Sequence, residues 1–191
     1  MSAAASHRMR PWIRNTLIVA VAALAASAGY LAQRNASSST SGQPYAARNA
    51  GAPILALTLP DSNGGLQALE QWRGKVLVVN FWATWCPPCL REIPDFARVS
   101  ERFSGAAVQF VGISIDKPDN VRKFADELKV PYPLLIAPLQ TLELTTPLGN
   151  TAQALPFTAI FDRRGGLQLI KLGTLNEVEL EGKIRALLAE P

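Results

Sequence analysis

The sequence is poor in sulfur and almost without histidine. Its only cysteines are Cys86 and Cys89, while Met1, Met9 and the single histidine, His7, all fall within the first nine residues. A four-ligand zinc site would need two more Cys or His partners beside a cysteine pair, which argues against zinc. Soft copper sites recruit additional Met or His, so the one metal reading left open is a copper(I) carrier that uses the two thiolates alone. Acidic residues are absent before Asp61, whereas Arg8, Arg10, Arg14 and Arg34 precede it. The formal net charge of +4 therefore belongs to the leader, and from Asn35 onward 15 basic residues balance 15 acidic ones. A nucleic-acid binder would show a basic face on its folded part, and this balance argues against that class. With 191 residues and no internal repeat, the chain has room for one domain plus appendages.

Residues 1–33 read as an N-terminal membrane anchor or signal sequence. Thr16 to Ala32 is a charge-free apolar run of 17 residues behind an arginine-bearing start. That length is at the short edge of a bilayer span, and the arginine excess predicts a cytoplasmic amino terminus with the remainder outside. Ala26-Ser27-Ala28 has the small-x-small form of a cleavage site, which keeps a cleaved signal peptide open, although the run is long for a signal h-region. Both readings export the rest. Residues 34–53 are small, polar and punctuated by proline, the composition of a flexible linker with a reach of roughly 25 Å.

The folded domain is expected over 54–191. ILALTLP, the turn Asp61-Ser62-Asn63-Gly64-Gly65 and LQALEQW read as a short strand, a tight turn and a second short element ending in a helical turn. Lys75 to Trp82 is a strand whose valines suggest burial on both faces, as in a parallel sheet. Pro87 to Phe103 is a helix with proline in its first turn, where the missing amide costs nothing, and with a kinking proline at Pro94. Val108 to Ile115 is another buried strand. Asp119 to Lys129 is an amphipathic helix with Val121, Phe124, Ala125 and Leu128 on one face, Tyr132 to Ile136 a short strand, and Gln140 to Leu148 an indistinct segment with some helical character. Phe157 to Phe161 and Leu167 to Leu172 form an antiparallel hairpin, and Glu177 to Leu188 is a closing helix. The sum is an α/β fold, a mixed central sheet flanked by helices.

The chain is organised around VLVVNFWATWCPPCLREIP, Val76 to Pro94. A CxxC alone is compatible with half a zinc site, a structural loop or a redox pair. A static disulfide closing four residues would constrain the unfolded chain little. Cys86, just ahead of a helix, faces the positive end of the helix dipole and should be acidified, as an attacking thiol requires. Cys89, three residues on, faces back and can resolve a mixed disulfide. Pro87 and Pro88 withhold two amide donors from the Cys86 thiolate, which predicts a reducing rather than a strongly oxidising pair. Glu92 lies on the same helical face as Cys89; if buried, its carboxyl would titrate near working pH and serve as a general base for Cys89. Trp85 stands beside the cysteines and is expected to shield them, whereas Trp82 reads as core.

Over Ile54 to Ala189 these residues resemble the TlpA/ResA group of thiol:disulfide oxidoreductases in the thioredoxin superfamily. The resemblance implies a thioredoxin-like fold with an N-terminal hairpin and a central insertion. It implies catalysis by Cys86, Cys89 and Glu92 without cofactor or metal, and a cis-proline at Pro156. Trp85, Pro87, Pro88, Leu155 and Pro156 would then bind substrate, with Leu155 offering its backbone. Asn80 departs from cytosolic thioredoxins, which carry a titratable aspartate there. The implied function is reduction of protein disulfides, apocytochrome c among them, on the periplasmic side of the bacterial cytoplasmic membrane. A membrane thiol-electron transporter would be the reductant. The alternatives kept beside it are the copper(I) carrier and a thiol peroxidase of the peroxiredoxin type. The latter lacks a TxxC motif here, because Thr84 stands only two residues before Cys86.

Overall fold

Strand β3, Val76–Trp82, is buried at all seven positions, and the rest of the domain follows from what covers its two faces. A computed structural model of the chain describes residues 48–105 and 107–190. The expected anchor over 1–33 and the linker as far as residue 47 lie outside the described residues. No helix among the described residues is long and apolar enough to cross a membrane.

The elements run α1 (Ala52–Leu55), β1 (Thr58–Pro60), β2 (Leu66–Ala68), a 3-10 turn (Leu69–Trp72), β3, α2 (Pro87–Arg102), β4 (Val108–Ser114), α3 (Pro118–Leu128), β5 (Leu134–Ile136), a 3-10 helix (Leu139–Leu148), β6 (Phe157–Phe161), β7 (Leu167–Leu172) and α4 (Glu177–Ala189). β1 and β2 form a small antiparallel hairpin, and the main sheet has the order β5-β4-β3-β6-β7. β4 runs parallel to β3 and to β5, whereas β6 is antiparallel to β3 and β7 to β6. This is the mixed sheet flanked by helices that the residue patterns predict, and the β1–β2 hairpin is the one that the resemblance implies.

Side chains alternate across a strand, so β3 feeds two cores. Val76, Val78 and Trp82 join Ile93, Phe96 and Val99 of α2, Val121 of α3 and Leu180, Ile184 and Leu187 of α4. Leu77, Val79 and Phe81 join Ile54, Leu59, Leu69, Leu142 and Phe157 on the other side. By the same alternation Asn80 belongs to the face that holds α2 and both cysteines. Outside this core α2 and α4 are tied by a chain of ion pairs. Arg98 reaches Asp95 and Glu177, Arg102 reaches Glu177 and Glu181, and Arg185 reaches Glu181.

Both hairpins turn on the same seven-residue pattern, DSNGGLQ at 61–67 and DRRGGLQ at 162–168. In each, Oδ1 of the aspartate accepts two backbone amides, from Asn63 and Gly65 in one and from Arg164 and Gly166 in the other. Oδ2 accepts from the glutamine side chain that follows, Gln67 or Gln168. The fourth residue of each pattern, Gly64 and Gly165, has a positive φ that suits glycine.

Three local expectations are corrected. The domain begins before Ile54: Arg48 pairs with Asp162 at 2.7 Å, and a Cβ at Gly51 would stand 2.3 Å from the Phe161 ring. Residues 48–53, expected in the linker, are therefore built into the fold. ILALTLP is not one strand, since Ile54 and Leu55 belong to α1, with Pro at its start, and only Thr58–Pro60 pairs. Leu128, placed on the buried face of its helix, is 48% exposed, because α3 ends there with Lys129 in a left-handed cap that leaves the core.

Candidate active site

β3 stops at Trp82, and a tight turn, Cys86 N–H to the Ala83 carbonyl at 3.2 Å, delivers Cys86 to the N-cap of α2. Cys86 and Cys89 are joined in a disulfide with Cα atoms 5.3 Å apart. Pro87 and Pro88 occupy the first helical positions and carry no N–H. The first amide the helix can offer is that of Cys89, and it donates to Cys86 Sγ at 3.4 Å. Cys89 is wholly buried, whereas Cys86 is 4% exposed. Of the two sulfurs, only that of Cys86 belongs to a residue with any accessible surface. Among the described residues no three His, Cys, Asp or Glu side chains gather into a metal-holding group.

On the turn of α2 that follows Cys89, Glu92 is 3% exposed. Its Oε1 accepts from Asn80 Nδ2 at 2.8 Å, and its Oε2 accepts from the Leu175 backbone amide at 3.0 Å. The second hydrogen of the Asn80 amide goes to Thr158 Oγ1 at 3.1 Å. Burial raises the Glu92 carboxyl to about 7, against the opposing effect of the Leu175 and Asn80 hydrogen bonds and with some help from the negative charge of Asp95. The phenol of Tyr132 is pushed up chiefly by its own burial and then by the charge of Glu92. Asn80, which cannot titrate, instead hydrogen-bonds a buried carboxyl that is raised to about 7.

The Leu155-Pro156 bond is cis, as expected. Phe81 pairs with Phe157, so the residues leading into β6 lie beside those leaving β3 towards Cys86. Leu155 is half-buried and packs against the core cluster that contains both cysteines. Trp82 is fully buried against Phe124, ring centroids 4.8 Å apart, in agreement with its core reading. Trp85 is 62% exposed and forms part of the surface next to Cys86. The turn between them is fastened by Thr84, whose hydroxyl donates to Asp116 at the end of β4.

Sequence reasoning singled out Asn80 and Glu92 separately without joining them, and it missed Thr158, Leu175 and Asp116. Thr158 carried a usable signal, a polar residue in an otherwise apolar strand that pairs with β3. The Leu175 contribution is a backbone amide and carries none.

A family model described as the AhpC/TSA family matches residues 50–170. Among curated relatives, the thioredoxin-like protein YneN of Bacillus subtilis is 31% identical over 132 residues, 66% of this chain and 74% of that one. The thiol-disulfide oxidoreductase ResA of Geobacillus kaustophilus is 28% identical over 137 residues, 71% of this chain and 75% of that one. Among solved structures, MTB DsbF in its mixed oxidized and reduced forms superimposes with a TM-score of 0.61 at 26% identity. That match covers 72% of this chain and 97% of that one.

Proposed function

Because the chain belongs to the AhpC/TSA family and is a thiol–disulfide oxidoreductase of thioredoxin fold, we propose that it reduces protein disulfides through Cys86 as nucleophile, Cys89 as resolver and Glu92 as base. The reading is carried by one observation: a CxxC at the start of α2 in which Cys86 alone keeps a little accessible surface and Cys89 is wholly buried. In the reduced protein the Cys86 thiolate attacks a substrate S–S bond and releases one substrate thiol. Cys89, its proton passed to Glu92, attacks Cys86 Sγ and releases the second. Two electrons go to the substrate and the enzyme is left as the Cys86–Cys89 disulfide. An external dithiol must then reduce it, and a membrane thiol-electron transporter is the proposed donor. Trp85, Pro87, Pro88, Leu155 and Pro156 supply the docking surface. Thr84 gives the peroxidase alternative no support, since its hydroxyl is engaged by Asp116.

The direction of electron flow rests on Pro87 and Pro88. With two of the first amides absent, Cys89 N–H is the donor among the described residues that reaches Cys86 Sγ, and a thiolate with few donors makes a poor oxidant. Equilibration with glutathione buffers should return a potential more negative than about −200 mV; one near the roughly −120 mV of DsbA would sink the reductase direction.

We further propose that the domain acts outside the cytoplasmic membrane and is held to it by residues 1–33, with disulfides of exported proteins, apocytochrome c among them, as substrates. The arginine-led apolar run supports this. Membranes washed with salt and carbonate should retain the protein with its first residues intact. A soluble form starting near Gly29 would refute the anchor but not the chemistry.

A further inference from the structure

Asn150 is fully buried although the four residues that follow it are exposed. Its side-chain amide is spent on fixed partners. Nδ2 donates to Thr145 Oγ1 at 2.9 Å and to the Ala154 carbonyl at 3.0 Å, and Oδ1 accepts from the Ala154 N–H at 2.9 Å. Thr145 in turn donates its hydroxyl to the Leu142 carbonyl at 2.6 Å. One planar amide thus grips both backbone polar groups of Ala154 and fastens them to the 3-10 helix Leu139–Leu148.

Residues 151–154 are exposed throughout, and Gln153 sits at a φ of 50°. No buried side chain within this loop fixes the position of Ala154. On its C-terminal side Leu155 packs on the core; within the loop itself the buried amide holds Ala154, and a reciprocal pair of hydrogen bonds fixes orientation as well as place. Ala154 is followed at once by Leu155 and Pro156, the segment beside the approach to Cys86.

We propose that Asn150 is a positioning residue for substrate: it presets the Ala154–Leu155 backbone so that an extended segment of a protein disulfide can lie against it next to Cys86. This rests on the docking role given above to Leu155 and Pro156. A site ordered in advance spares the ordering cost when the segment binds. Removing the amide should therefore penalise substrates that need the backbone contact and spare those too small to use it.

The test compares reduction of insulin with reduction of hydroxyethyl disulfide by the full chain and by Asn150→Ala. The expected result is a KM for insulin raised about tenfold or more, with the small-disulfide rate within about twofold and the potential of the cysteine pair unchanged. Equal loss on both substrates, or an unchanged KM for insulin, would overturn the proposal. If Asn150→Ala does not fold, Asn150→Asp keeps the acceptor for Ala154 N–H while losing both donated bonds, and it is judged by the same criteria. Thr145→Val leaves both Ala154 bonds in place but cuts the one that fastens Asn150 to the 3-10 helix, so it should raise the insulin KM less than Asn150→Ala does; an equal rise accompanied by loss of the small-disulfide rate would make the effect one of general loosening and overturn the proposal. Failure of the unaltered protein to reduce either disulfide would overturn the reductase reading itself, a result distinct from any effect of Asn150.

Discussion

Cys89→Ser is expected to react with a protein disulfide once and then stop. Its Cys86 can still attack and expel one substrate thiol, but the mixed disulfide so formed has no internal thiol to break it. The chain contains no other cysteine, so no neighbouring sulfur can substitute. Multiple turnover should fall to background while substrate accumulates on the protein at up to one equivalent, visible as a mass increase that dithiothreitol removes. Cys86→Ser should give neither turnover nor adduct, because the remaining sulfur is wholly buried. Loss of the cross-link costs the fold little by comparison, since a bridge between residues three apart removes little freedom from the unfolded chain. Steady turnover by Cys89→Ser within tenfold of the unaltered protein would show that substrates resolve themselves, and would remove Cys89 from the mechanism.

The second large effect belongs to Glu92. As a base it works only when ionised, and with its carboxyl held at about 7 the ionised fraction grows as pH rises through neutrality. Reduction by the unaltered protein should accelerate over that interval, and Glu92→Gln should lose that limb and run about 100-fold slower at pH 8. The same group leaves a mark on stability with the opposite pH trend. Its folded value of about 7 lies above the ordinary carboxylate value of 4.5, so the folded state prefers the proton. The contribution is fully present below about 4.5 and is lost as pH rises through 7, a change of about 3 kcal/mol. Unfolding free energies of the oxidised protein measured from pH 5 to 8 should therefore fall more steeply than those of Glu92→Gln. Parallel curves for the two proteins, together with parallel rate profiles, would return Glu92 to a purely structural place.

What could be read from the sequence was whatever repeats locally. The valine run of β3, the proline-led start of α2 and the two Asp-x-x-Gly-Gly turns are short-range patterns, and each falls where the pattern predicts. The cysteine pair and Glu92 share one helical face and were legible for that reason. What escaped depends on contacts between distant segments. Gly51 fits under Phe161, and Arg48 meets Asp162, so the chain becomes ordered earlier than its linker-like composition suggests. Glu92 takes a hydrogen bond from the backbone of Leu175, an interaction that no side-chain pattern encodes. Asn150 looks like an ordinary loop residue until the fold brings Ala154 back to it.

The Arg48–Asp162 pair also gives the domain a direction. β6 runs from Phe157, opposite the end of β3, to Phe161, opposite its beginning, and Asp162 follows at that far rim. The polypeptide therefore enters the folded body at one pole and presents Cys86 at the other, the two separated by at least the length of β6, roughly 15 Å. Tension applied to the chain at Arg48 would therefore load the Arg48–Asp162 and Gly51–Phe161 contacts before it reached the cysteine pair.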